Sequence, residues 1–102
     1  MMNSIVSDNK KQLIQLCSEY SVKSMYVFGS VCTENFTEES DIDLLISFEN
    51  LSIEQYTDNY FELHYKLEAL FGRKIDLLTE KSLSNPYFIK SLENTKQLIY
   101  AA

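Results

Sequence analysis

Between Ile53 and Phe71, apolar or aromatic residues recur at 53, 56, 60, 63, 67 and 70. That spacing draws one stripe along a helix nearly five turns long. Gly72 stands where a helix C-cap belongs. On either side of this helix the period changes to that of strands. "VKSMYVF" (22–28) is short and rich in β-formers. "DIDLLISF" (41–48) alternates, with Ile42, Leu44, Ile46 and Phe48 facing one way and Asp41 and Asp43 the other. "KIDLLTE" (74–80) sets Asp76 opposite in facing to Ile75 and Leu77.

Ahead of these strands, Leu13, Leu16, Cys17 and Tyr20 share a helix face in "DNKKQLIQLCSEY" (8–20), with Asp8 or Ser7 as the N-cap. Pro86 suits the first turn of a further helix through about Glu93. "KQLIYA" (96–101) fits a short edge strand or a helix about equally. The order α, β, loop, β, long α, β, α predicts an α+β fold: a small mixed β-sheet with helices packed on one face. A chain of 102 residues is expected to form one domain over 1–102.

Composition narrows the function classes. Lys and Arg total 9 against 15 Asp and Glu, a net charge of −6. Such a surface does not favour the phosphate backbone of nucleic acid, so no direct nucleic-acid partner is expected. "MMNSIVSDNKK" has no apolar core of leader length, and nowhere is an apolar run long enough to span a membrane. Cys17 and Cys32 form no spaced framework, so they read as reduced thiols of a cytoplasmic protein. His64 is the single histidine and sits at the border of the long helix's stripe; without a second histidine, a zinc site is not the expectation.

The acids carry the chemistry. Asp41 and Asp43 lie on one face at one strand end, their Cα atoms about 7 Å apart at strand rise. Asp76 opens a strand able to neighbour it. Clustered carboxylates repel unless a cation neutralises them. An oxygen-only donor set favours Mg²⁺ or Mn²⁺, and two such ions clamp the attacking and leaving oxygens of a phosphoryl or nucleotidyl transfer. Gly29-Ser30 ends the preceding strand. A glycine there lets backbone approach a phosphate, and the amides and the Ser30 hydroxyl can grip the terminal phosphates of a triphosphate.

Gly29-Ser30, ten intervening residues and then Asp41-x-Asp43 resemble the signature of the nucleotidyltransferase superfamily that includes DNA polymerase β. "YVFGS", "SDIDLLISF" and "KIDLL" are similar to its minimal branch, the MntA-type antitoxins. The resemblance runs from about Ile14 to about Tyr100. It implies that Asp41 and Asp43 bind Mg²⁺, that Asp76 completes the triad and activates the incoming hydroxyl, and that Gly29 and Ser30 hold the phosphates of ATP. It further implies a HEPN-type RNase toxin as partner, in a hetero-oligomer, with AMP passed from ATP to a toxin tyrosine.

The sequence departs from the family where Gly-Ser is usually followed by basic residues. Here "GSVCTENFTEES" supplies Val31, Cys32, Thr33 and Glu34 instead. Lys74, two residues from Asp76, and the adjacent Arg73 are the candidate replacement cations. The alternative class is a protein that keeps the fold and neutralises its partner by binding alone. The three acids favour the enzyme, and the missing cations favour the binder. Tyr60 is read as core, and Tyr65, off the stripe, as an interface candidate.

Overall fold

The computed structural model describes residues 4–102. The first three residues of the stretch read above for a leader lie outside them. A short helix α1 (Ser4–Ser7) precedes α2 (Lys10–Glu19), and β1 (Val22–Phe28) runs into a 3₁₀ turn at Gly29–Cys32. After β2 (Ile42–Phe48) come α3 (Ile53–Phe71) and β3 (Ile75–Thr79), then a 3₁₀ turn, α4 (Pro86–Thr95) and β4 (Gln97–Ala101). The strands form one sheet in the order β3-β2-β1-β4. β1 is antiparallel to both β2 and β4, whereas β2 and β3 are parallel. The expected mixed sheet is present, and the ambiguous last segment is a strand because it pairs along the free side of β1.

α3 begins and ends as its sequence dictates. Ser52 and Gln55 cap it reciprocally, and Gly72 closes it in the left-handed conformation at φ 64°. The expected cap of α2 differs: Asn9, not Asp8 or Ser7, precedes its first turn, and the Asn9 amide instead donates to the Ile5 carbonyl of α1. Helices α2 and α3 bury Leu13, Cys17, Leu63 and Leu67 against Met25, Val27, Ile42, Leu44, Ile46, Ile75 and Leu77. Burying a side chain of this kind is worth about 1.5–3 kcal/mol, so this layer is the main support of the fold.

The expectation that the helices share one face holds for α2 and α3 and fails for α4. Leu92 packs with Phe28 and Leu45, and Tyr26, Leu78 and Leu83 flank them, so α4 crosses the opposite face of the sheet. The cause is strand alternation. Tyr26, Phe28, Leu45 and Leu78 point away from α2 and α3, and Phe88 and Leu92, one helical turn apart, cover them.

β3 is an edge strand whose outward carbonyls at Ile75, Leu77 and Thr79, and the Ile75 amide, are occupied by side chains. The Tyr60 hydroxyl donates to the Leu77 carbonyl (2.6 Å), His64 Nε2 to the Ile75 carbonyl (2.8 Å) and the Ser82 hydroxyl to the Thr79 carbonyl (2.7 Å). Glu68 accepts from the Ile75 amide (3.2 Å). Tyr60, His64 and Glu68 are spaced by four, so one row of α3 serves the strand edge. No helix among the described residues is long and apolar enough to cross a membrane.

Candidate active site

The site forms on the α4 side of the sheet. In the parallel pairing of β2 with β3, Asp43 stands directly beside Asp76. In the antiparallel pairing of β1 with β2, Asp43 also stands opposite Phe28, next to the turn at Gly29. Gly29 has φ +77°, and a Cβ built on it would overlap a carboxylate oxygen of Asp43 and lie 3.0 Å from its carboxyl carbon. The absent side chain is therefore the space in which the Asp43 carboxylate sits.

Burial pushes the Asp43 carboxyl from its ordinary 3.8 up to about 6, and Asp76 adds to the rise through its charge and a hydrogen bond, with a smaller contribution from Asp41. Asp43 is half-buried and Asp76 exposed beside it, so the rise at Asp43 records the cost of holding its charge out of water and next to a second carboxylate. The same field reaches outward. Burial first, and then the Asp76 charge, raises the Tyr60 phenol; burial likewise raises the Cys32 thiol, with Asp43 adding to it.

Asp41 stands one residue ahead of β2 and faces Lys74, whose Nζ is 4.0 Å from its Oδ2. The structure thus brings Asp43 and Asp76 together and leaves Asp41 turned to a cation at the rim. Among the described residues, no group of three or more His, Cys, Asp or Glu side chains is arranged to hold a metal ion. The donor chemistry nonetheless fits a hard divalent cation: all three groups are carboxylates, and the raised Asp43 carboxyl marks a place short of positive charge.

Ser30 lies half-buried in the 3₁₀ turn, its carbonyl accepting from the Thr33 amide (2.9 Å) and the Thr33 hydroxyl (2.8 Å). Arg73 is committed elsewhere. Its guanidinium donates to the Thr37 and Ser40 carbonyls (3.1 and 3.0 Å) and lies 4.7 Å from the centroid of the Phe36 ring, pinning the loop between the turn and β2. Lys74 remains as the cation beside the acids.

Asp43, Asp76 and Gly29 open into a cleft of about 320 Å³ whose other wall is α4: Phe88, Ser91, Leu92 and Thr95. Sequence reasoning missed this wall. Its signal was the spacing of 88, 91, 92 and 95, one helix face carrying two hydroxyls beside two apolar groups.

Residues 10–99 match the family described as the nucleotidyltransferase domain. The chain belongs to the nucleotidyltransferase family. Among its relatives in this family, "Putative protein adenylyltransferase MJ1379" of Methanocaldococcus jannaschii is 44% identical over 85 residues, covering 83% of this chain and 82% of the relative. Protein adenylyltransferase MntA of Thermococcus cleftensis is 33% identical over 84 residues, covering 82% and 79%.

Solved structures share the nucleotidyltransferase fold. One is a tri-AMPylated Shewanella oneidensis HEPN toxin in complex with MNT antitoxin (TM-score 0.65, 19% identity, covering 94% of this chain and 72% of the other). Another is a toxin–antitoxin with AMP-PNP (TM-score 0.71, 21% identity, covering 92% and 74%). The nucleotidyltransferase membership expected from Gly29-Ser30 and the aspartates is shown by the family match and the relatives.

Proposed function

We propose that this nucleotidyltransferase is the antitoxin of a toxin–antitoxin pair and transfers AMP from ATP to a tyrosine of a HEPN-type RNase toxin. The observation that carries the reading is the Asp43–Asp76 pair held side by side in an open cleft, with Gly29 vacated to admit Asp43. Packing two acids together costs stability, and nothing in partner binding alone requires it. The names of the relatives, protein adenylyltransferases, and the AMPylated toxin bound to a structurally similar antitoxin support the substrate and the partner.

Asp43 and Asp76 would hold Mg²⁺ or Mn²⁺, with Asp41 joining them on leaving its contact with Lys74. Such ions supply charge neutralisation for the acids and withdraw charge from the reacting phosphate. Around them the chain's own groups do the rest. Asp76, at the cleft side of the edge strand, accepts the proton of the incoming tyrosine hydroxyl. The tyrosine oxygen forms a bond to the α-phosphorus as the bond to the bridging oxygen breaks, and pyrophosphate leaves. The Gly29-Ser30 turn positions the phosphates, and Lys74 at the rim offsets their charge.

One observation favours a second reading, inhibition by binding alone: Arg73 is tied to the loop, so Lys74 is the candidate cation left for a triphosphate. Mass spectrometry of the toxin separates the two readings. After incubation with the wild-type chain, ATP and Mg²⁺, the toxin gains AMP on a tyrosine and stays inactive once the chain is removed. The Asp43→Asn variant adds none while still binding. A toxin that carries no adduct and recovers fully leaves the binder.

A further inference from the structure

Two aromatic rings line the acidic cleft. Phe28 is buried, whereas Phe88 on α4 is 38% exposed. Their centroids are 6.1 Å apart with the planes at 72°, an edge-to-face contact. In such a contact one ring meets the other by its rim, so Phe28 takes at most one of the two faces of Phe88. The cleft consequently has two chemically distinct walls: the strand wall carries Asp43 and Asp76, and the helix wall carries a flat aromatic group, Phe88, beside Leu92 and the hydroxyls of Ser91 and Thr95. No Lys or Arg is among its lining residues.

A nucleoside triphosphate has the same division: a chain of charged phosphates and a flat base. Its phosphates belong beside the acids, where cations gather, and its base against the aromatic ring of the helix wall. We propose that Phe88 is the stacking platform for the base of the nucleotide substrate, an inference that rests on reading the cleft as the nucleotide site. Stacking recognises a ring by area and not by its hydrogen-bonding edge, so the platform favours purines over pyrimidines without distinguishing among purines.

Titration calorimetry with ATP and with inorganic tripolyphosphate, both in Mg²⁺, tests the proposal. Phe88→Leu keeps an apolar group against Phe28 and removes the flat ring. It should weaken ATP roughly tenfold, the range seen when a base loses an aromatic partner. Tripolyphosphate affinity should stay unchanged, and Phe88→Tyr should bind ATP as the wild type does. Equal loss for both ligands would mean that Phe88 shapes the cleft and stacks nothing, which overturns the proposal. Unchanged ATP affinity, with weaker binding of the protein acceptor, would overturn it too and leave the adenylyltransfer reading standing. If the wild type binds no ATP at all, both readings fall together.

Discussion

Gly29 and Asp43 occupy one another's space: the carboxylate fills the position that any Cβ at residue 29 would take, and the glycine's φ of +77° is one that L side chains rarely adopt. Gly29→Ala should therefore destabilise the chain by about 2–4 kcal/mol, combining left-handed strain with overpacking. Urea denaturation measures it. Adding Asp43→Ala should return part of that loss, because the overlap disappears while the strain stays. Strict additivity of the two changes would mean that the carboxylate is not what the glycine accommodates.

Metal-free stability should depend on pH through Asp43. Its folded pKa of about 6 lies above the ordinary 3.8, so the folded state holds a proton that the unfolded state has released between those values. Its contribution is fully present below about pH 4 and is lost as pH rises through 6. In a chelator, the melting temperature of the wild type should fall relative to Asp43→Asn between pH 4 and 7. At pH 7, Mg²⁺ with nucleotide should raise the wild type and leave Asp43→Asn where it was.

The two thiols should separate cleanly. Cys17 is fully buried, and burial pushes its thiol up to about 12, so it cannot present a thiolate to a labelling reagent while the chain is folded. Cys32 is half-buried beside the site. Native protein should label once, slowly, and unfolded protein twice. Nucleotide with Mg²⁺ should slow the native reaction further.

Lys74→Ala should raise the KM for ATP by about threefold to tenfold with little change in kcat, since a ground-state phosphate contact acts on binding. The side chain is mostly exposed and 4.0 Å from Asp41, so solvent screening keeps the effect modest. Steady-state rates with the toxin as acceptor give both constants.

Much of this was readable in the residues. The strand over 22–28 and the helix over 53–71 carry patterns that only one secondary structure satisfies, and Asp41, Asp43 and Asp76 stood out because acids interrupt apolar alternation. The rest depended on pairings that no local pattern encodes. Gly29 reads in the chain as room for a phosphate, and the register adds what no local pattern encodes: with Phe28 opposite Asp43, the same glycine makes room for the Asp43 carboxylate. The apolar stripe of α4 could have met either face of the sheet. Arg73 and Lys74 look equivalent in the chain, yet the first is consumed by carbonyls 36 and 33 residues away.

The row of side chains that α3 lays along β3 decides how this molecule can associate. An exposed edge strand invites another strand to pair with it, the usual first step of sheet-driven aggregation. On β3 such pairing would first have to displace Tyr60, His64 and Ser82 from three carbonyls. Each of those bonds is worth about 0.5–1.5 kcal/mol net. The edge strand that carries Asp76 thus resists backbone recruitment through its carbonyls. Contacts made at this edge therefore fall on side chains of α3, and the sheet beneath keeps its own pairing.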